Sequence, residues 1–252
     1  MKFGAIVLAA AMSAPVAAQA TDVTETLAAA RRQVTTADYR LSGRIVRVDG
    51  SGTRTSDGLN MKAHWFPGVL RVLVEVRSPA TARVHVLLEM SPGGTTTIQI
   101  AHPGDAVATV LPFDKWNTGP LGEELSYEDF INASSFWSGQ ADMGEAKFGA
   151  RNCDHLKSRP AAEDKTHHAE VKSWLDLGSG FPVYVEKTLK GSEMVKEFTY
   201  FGLRQTEGFW SATQVEAKIR GHDGSTLLIV DYGSPRAHLD TKDFNSAQLT
   251  HF

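Results

Sequence analysis

Nine histidines, a single cysteine and several adjacent carboxylates are the groups in this sequence best suited to chemistry. A protein metal site needs imidazoles returned to one face, as in His-Glu-x-x-His on a helix. No such spacing occurs here. His167-His168 is the nearest cluster, but neighbours on a strand point to opposite faces, which would separate the rings. Asp154-His155 reads as half of a hydrolytic triad or, more plainly, as a solvated turn pair. Glu123-Glu124 and Glu128-Asp129 suit acid–base work, although a polar face is the plainer reading. Gly178-Ser179-Gly180 is a turn rather than the Gly-x-Ser-x-Gly elbow of a hydrolase, and no phosphate-binding glycine loop is present. Cys153 has no disulfide partner and reads as a small buried side chain. No catalytic residue, metal or cofactor is expected, and the sequence points to binding rather than to an enzyme.

Charge narrows the partners. The formal net charge is −3, with no basic block. That gives no electrostatic footprint for nucleic acid and no polybasic segment for an anionic membrane surface. Lys2 followed by the small, apolar residues 4–18 and by Ala18-Gln19-Ala20 has the form of an export signal. Residues 1–20 are therefore expected to be a cleaved signal peptide, and residues 21–252 one periplasmic domain.

The elements that must position these residues change type along the chain. Residues 22–34 have helical spacing through Val23, Leu27, Ala30 and Val34. From Tyr39 the period is near two, and turn signals such as Asp49-Gly50-Ser51-Gly52 recur every ten to fifteen residues. Strands are expected around 39–48, 61–65, 70–76, 83–90, 95–100 and 106–111. Further strands are expected at 151–159, 168–176, 181–187, 194–201, 209–219 and 225–232. Residues 113–149 are aromatic but show no alternation, which predicts a loop carrying short helices, with Ser126 capping one of them and Asp129 three residues on. The fold class is mainly β: a single curved antiparallel sheet, or incomplete β-barrel, with short helices as lid or plug.

Several motifs, in order, carry a resemblance. Lys172-Ser173-Trp174-Leu175-Asp176 is followed by Phe181-Pro182-Val183-Tyr184-Val185-Glu186, by Gly208-Phe209-Trp210, and by a hairpin from Gly224-Ser225-Thr226 to Asp231-Tyr232. Upstream lies Leu125-Ser126-Tyr127-Glu128-Asp129-Phe130. Together they resemble the bacterial outer-membrane lipoprotein-sorting family, the relatives of the periplasmic carrier LolA. Residues 81–111 are not distinctive, and Ser211-Ala212 replaces the Thr/Val-Pro that often follows the tryptophan. The resemblance implies an apolar concave face that holds lipid or lipoprotein acyl chains, with residues 113–137 and the first helix as lid. An inner-membrane transporter of the resistance-nodulation-division type or an outer-membrane acceptor would be a partner, and the carrier itself is expected to be a monomer. Aromatic residues in a β protein are ordinarily core, and Trp174 and Trp210 lean that way. The cavity-and-lid set implied is Trp65, Trp116, Tyr127, Phe130, Phe136, Trp137, Trp174 and Trp210. An arginine near the first strand ties lid to barrel in the family, which brings in Arg40 and Arg44. The alternative is a non-catalytic envelope interaction module with a filled core and an exposed apolar patch.

Overall fold

The computed structural model describes residues 23–93, 96–119 and 124–252. The expected export segment 1–20 and Glu123 lie outside them. Helix α1 spans Val23–Thr35, and six strands follow it: β1 Asp38–Val48, β2 Arg54–Phe66, β3 Val69–Ser78, β4 Val84–Met90, β5 Thr96–Ala101 and β6 Thr109–Val110. After a crossing segment come β7 Gly139–Phe148, β8 Arg151–Arg159, β9 His168–Asp176, β10 Pro182–Leu189 and β11 Val195–Phe201. A small hairpin, β12 Arg204–Thr206 and β13 Phe209–Ser211, precedes β14 Gln214–Ile219 and β15 Ser225–Ser234.

Thirteen of the strands form one antiparallel sheet in the order β6-β5-β4-β3-β2-β1-β15-β14-β11-β10-β9-β8-β7. The sheet is not closed into a barrel; β6 and β7 are its free edges. The chain starts at the centre with β1, meanders outward to β6, and re-enters at the opposite edge with β7. It then meanders back until β15 pairs with β1. Residues 111–138 must therefore cross the whole sheet to join its two edges. The described residues of this segment lie over the concave face, where Leu111, Trp116, Leu125, Tyr127, Ile131 and Trp137 are buried in the main core. The expected lid is thus a plug packed into the curve of the sheet. Its turn at Tyr127–Phe130 has the expected cap: the Ser126 backbone N–H and hydroxyl both donate to the Asp129 carboxylate, at 2.9 and 2.6 Å.

Helix α1 buries Leu27 and Ala30 against Leu156 of β8 and Leu175 of β9. Thr26 Oγ1 donates to Asp154 at 2.8 Å, so Asp154 is a buried anchor for the helix rather than part of a solvated turn. On the convex side, a tail from residue 235 onward packs Leu239, Phe244 and Leu249 over Leu73, Leu87 and Ala101.

Three element expectations change. The stretch read as loop up to residue 149 contains strand β7. It is an edge strand with no fully buried residue, so it lacks the apolar alternation of a half-buried strand. The single strand expected over 209–219 is two pieces. The chain leaves the sheet at Gly202 (φ 61°), makes the β12–β13 hairpin, and returns at Thr213, whose N–H donates to the Phe201 carbonyl at 3.0 Å. The sixth strand contracts to Thr109–Val110.

Candidate functional site

Where α1 meets the centre of the sheet, the concave face is not filled. A cavity of about 320 Å³ lies between α1, the first half of β1, and β14–β15, with the β12–β13 hairpin along its mouth. Its walls follow from strand periodicity: Tyr39 and Leu41 on β1, and Leu228 and Val230 on β15, are two residues apart and share the inward face. Tyr200, Phe181 and Val215 widen the apolar wall. Tyr39 is pushed up to about 12 by burial, so its phenol is neutral across the physiological range. Gly43 makes the junction of β1 and β15 possible. A Cβ there would sit 2.0 Å from the Ile229 carbonyl oxygen, and the register slips at this point, between Ser42 and Gly43.

Beyond the cavity, the plug is fastened by a buried ionic cluster. Asp129 has a fully buried carboxylate. Lys196 Nζ, also buried, donates to Asn117 Oδ1 at 2.8 Å, to Ser126 Oγ at 3.1 Å and to Asp129 at 3.1 Å. All three ammonium donors are thereby used. Lys187 Nζ donates to the other Asp129 oxygen at 2.9 Å and lies 4.5 Å from the centre of the Phe198 ring. Burial alone would raise Asp129, but the charges of Lys187 and Lys196 and the contact with His168 hold it well below the usual carboxylate range. Glu128 behaves alike. Burial raises it, and the His167 hydrogen bond, the electrostatic pull of His168 and the Thr166 hydroxyl outweigh that.

His167 and His168 do not diverge as two neighbours on a strand would. His167 lies just before β9, so both rings reach Glu128, with Nδ1–carboxylate distances of 3.0 and 3.4 Å. Glu128 and Asp129 are accordingly buried partners and not a polar face. A small space of about 50 Å³ beside Glu128, His168 and Lys187 has room for only a few water molecules. Among the described residues, no group of three or more His, Cys, Asp or Glu is placed to hold a metal ion. Asp154 and His155 face opposite sides of β8: His155 stacks outward on Trp174, with centroids 4.1 Å apart. Cys153 is fully buried, and burial raises its thiol.

Comparison with known proteins places this architecture. Residues 117–251, more than half of the chain, match the model of a family described as “-like: Uncharacterized protein”. The chain belongs to that family. Its fold is that of the LolA superfamily. An outer membrane lipoprotein-sorting protein domain from Vibrio parahaemolyticus superposes with a TM-score of 0.80 at 16% identity, covering 91% of this chain and 100% of that one. A DUF1329 family protein from Desulfovibrio piger gives a TM-score of 0.79 at 15% identity, covering 90% and 98%. A LolA superfamily protein from Nitrosomonas europaea gives 0.67 at 13% identity, also covering 90% and 98%. No curated protein matches the sequence.

Within this LolA-type fold, the residues expected to form cavity and lid separate into four places. Trp210 and Arg40 line the cavity. Trp116, Tyr127 and Trp137 are buried in the plug's core contacts, joined there by the partly buried Phe130 and Phe136. The Trp116 indole donates to the Leu111 carbonyl at 3.1 Å, and Trp65 stacks on Phe136 at 5.8 Å. Trp174 lies on the outward face with His155 and Tyr184. Neither Arg40 nor Arg44 holds the plug. Arg44 makes a two-point contact with Asp231 on the neighbouring strand, at 3.0 and 3.1 Å, and Arg40 reaches Asp243 of the tail at 3.5 Å. The arginine that does bridge helix and plug is Arg31, whose Nε donates to the Ser135 carbonyl at 2.8 Å and whose guanidinium lies over Phe136.

Residue-by-residue reading missed Tyr39, Leu41, Tyr200 and Leu228 as cavity walls. Their inward register was available, but an inward apolar residue looks the same whether it meets another side chain or a void. The ionic cluster did leave a signal. Lys187 follows Val183 and Val185 at period two, and Lys196 precedes Phe198 and Tyr200 in the same way. A lysine in the apolar register of a strand needs a buried counter-charge.

Proposed function

We propose that this chain is a periplasmic carrier that shelters the acyl chain of a lipid or lipoprotein in the cavity between α1 and the centre of the sheet. Residues 1–20 would act as the export signal, and residues 21–252 would work as one domain. The observation that carries the reading is the cavity of about 320 Å³ with its mainly apolar lining. An exposed chain costs about 0.8 kcal/mol per methylene in water, so a carrier must cover most of it. A curved sheet supplies a wide apolar wall whose backbone groups are already paired, and the β12–β13 hairpin beside the mouth supplies a flap. An unfilled cavity also favours a carrier over an interaction module with a packed core. A tight apolar pocket does not empty itself, so delivery would involve a partner, such as an inner-membrane transporter of the resistance-nodulation-division type or an outer-membrane acceptor. Binding, rather than catalysis, is the activity proposed.

The test is mass spectrometry of organic extracts from protein purified without detergent from its native periplasm, together with uptake of the neutral fluorophore N-phenylnaphthylamine. A stoichiometric lipid or acylated peptide and saturable probe uptake are expected. Protein that is lipid-free and takes up no probe overturns the reading.

A further inference from the structure

We propose that the cavity takes an acyl chain carrying an anionic headgroup, held at the mouth by Arg204. This rests on the carrier reading and narrows it to a ligand class.

Charge at the mouth is the argument. Arg204 lines the cavity from β12, and a Cβ placed on Gly233 of β15 would lie 3.7 Å from its Nη2. No hydrogen bond or ion pair to the Arg204 guanidinium is found among the described residues. Arg40 is turned away: on β1 it alternates with the inward Tyr39 and Leu41, and its guanidinium meets Asp243 of the convex-side tail at 3.5 Å, beside Lys62. The one carboxylate in the lining, Asp38, is already engaged. It accepts from the backbone N–H groups of His238 and Leu239, at 3.1 and 3.0 Å, and contacts His64 Nδ1 at 3.1 Å. Nearby Arg236 and Glu207 neutralise each other at 3.3 Å. The mouth therefore presents one cation with spare donors above an apolar pocket. A carboxylate or phosphate satisfies it, and a guanidinium binds either with two parallel hydrogen bonds.

Arg204 also lies on the hairpin that carries Phe209 and Trp210, in register with Ser211. A headgroup bound there would draw the flap over the chain beneath it, so headgroup recognition and closure would be one event.

The experiment is displacement of N-phenylnaphthylamine from the full chain by ligands of matched length, each below its micelle concentration. Laurate and dodecyl phosphate are expected to displace the probe at one per protein and at least tenfold more tightly than dodecanol. Arg204→Gln is expected to narrow that ratio to threefold or less. Comparing laurate with a lauroyl lysophosphatidylglycerol tells a free fatty acid from a lysolipid headgroup as the preferred anion. Equal affinity for laurate and dodecanol, in wild type and variant, overturns the headgroup assignment and leaves the carrier reading standing. If neither dodecanol nor the probe binds, the carrier reading fails and this inference fails with it.

Discussion

The Asp129 cluster shows how a buried charge decides the stability of a plug. Its carboxylate is enclosed, and among the described residues no other carboxylate pairs with either lysine. Removing one member of such a pair costs about 3–5 kcal/mol, because the remaining charge stays buried. Asp129→Asn is accordingly expected to lower unfolding stability by about 3 kcal/mol or more, read from urea denaturation. The pH dependence follows from the direction of the shifts. Asp129 and Glu128 are both held below their ordinary values in the folded state. Their contribution is therefore complete above the unfolded carboxylate range, near pH 4, and is lost as pH falls through the lower folded values. Stability should hold from neutrality to about pH 5 and fall below about pH 4; Asp129→Asn should flatten that acid limb. Equal acid slopes in both proteins would remove Asp129 from the account. In sequence, the lysines were visible as misfits in their strands and Asp129 as a cap partner. Joining them required the third dimension, because residue 129 lies on the plug and residues 187 and 196 on the wall.

At the scale of elements, the junction of β1 with β15 sets the shape of the cavity. Both strands contribute walls, and they join the two halves of the sheet. At Gly43 there is no room for a side chain between the two backbones. Gly43→Ala places a methyl group against a carbonyl that cannot move without breaking the ladder. A loss of about 3 kcal/mol is expected, with hydrogen exchange accelerating first in β1 and β15. Wild-type stability in that variant would mean that the slip in register can move to another residue. Local patterning found α1 and most of the strands because each buries one face, and period reports that directly. It failed for β7, which buries too little to show a period. It failed again for β12–β13, where two short strands joined by Glu207-Gly208 ran on into the alternation of β14. The β1–β15 pairing had no local signature at all, since its partners lie almost a full chain length apart. The family resemblance implied an incomplete barrel but not which strands meet at its centre.

Over the whole molecule, one sheet has to serve two faces. The concave face is covered by the plug and α1, leaving the cavity. The convex face of β3–β5 would expose Leu73, Leu87 and Ala101 were it not for the tail. That tail is held at both ends of its course. The Ala237 N–H donates to the Asp38 carbonyl at 3.0 Å. His85 Nδ1 bonds the Leu249 carbonyl at 2.9 Å, and Phe252 stacks on the His85 ring at 4.0 Å. The first anchor makes the tail part of the site's support, because Asp38 lines the cavity and is fixed by the backbone of residues 238 and 239. Phe244 is the tail's main apolar anchor, 3% exposed and edge-on to Phe66 at 5.7 Å. Phe244→Ala should therefore cost roughly 3 kcal/mol as a core truncation. It should also have an effect that an ordinary core truncation lacks. A loosened tail bares a sheet face that is apolar on both sides, so light scattering should become concentration-dependent well below the melting temperature. Cavity binding of N-phenylnaphthylamine should weaken together with tail protection in hydrogen exchange, because Asp38 would lose its backbone donors. A variant that loses stability but keeps full probe affinity and stays monodisperse would show that the tail only covers the sheet and does not support the cavity.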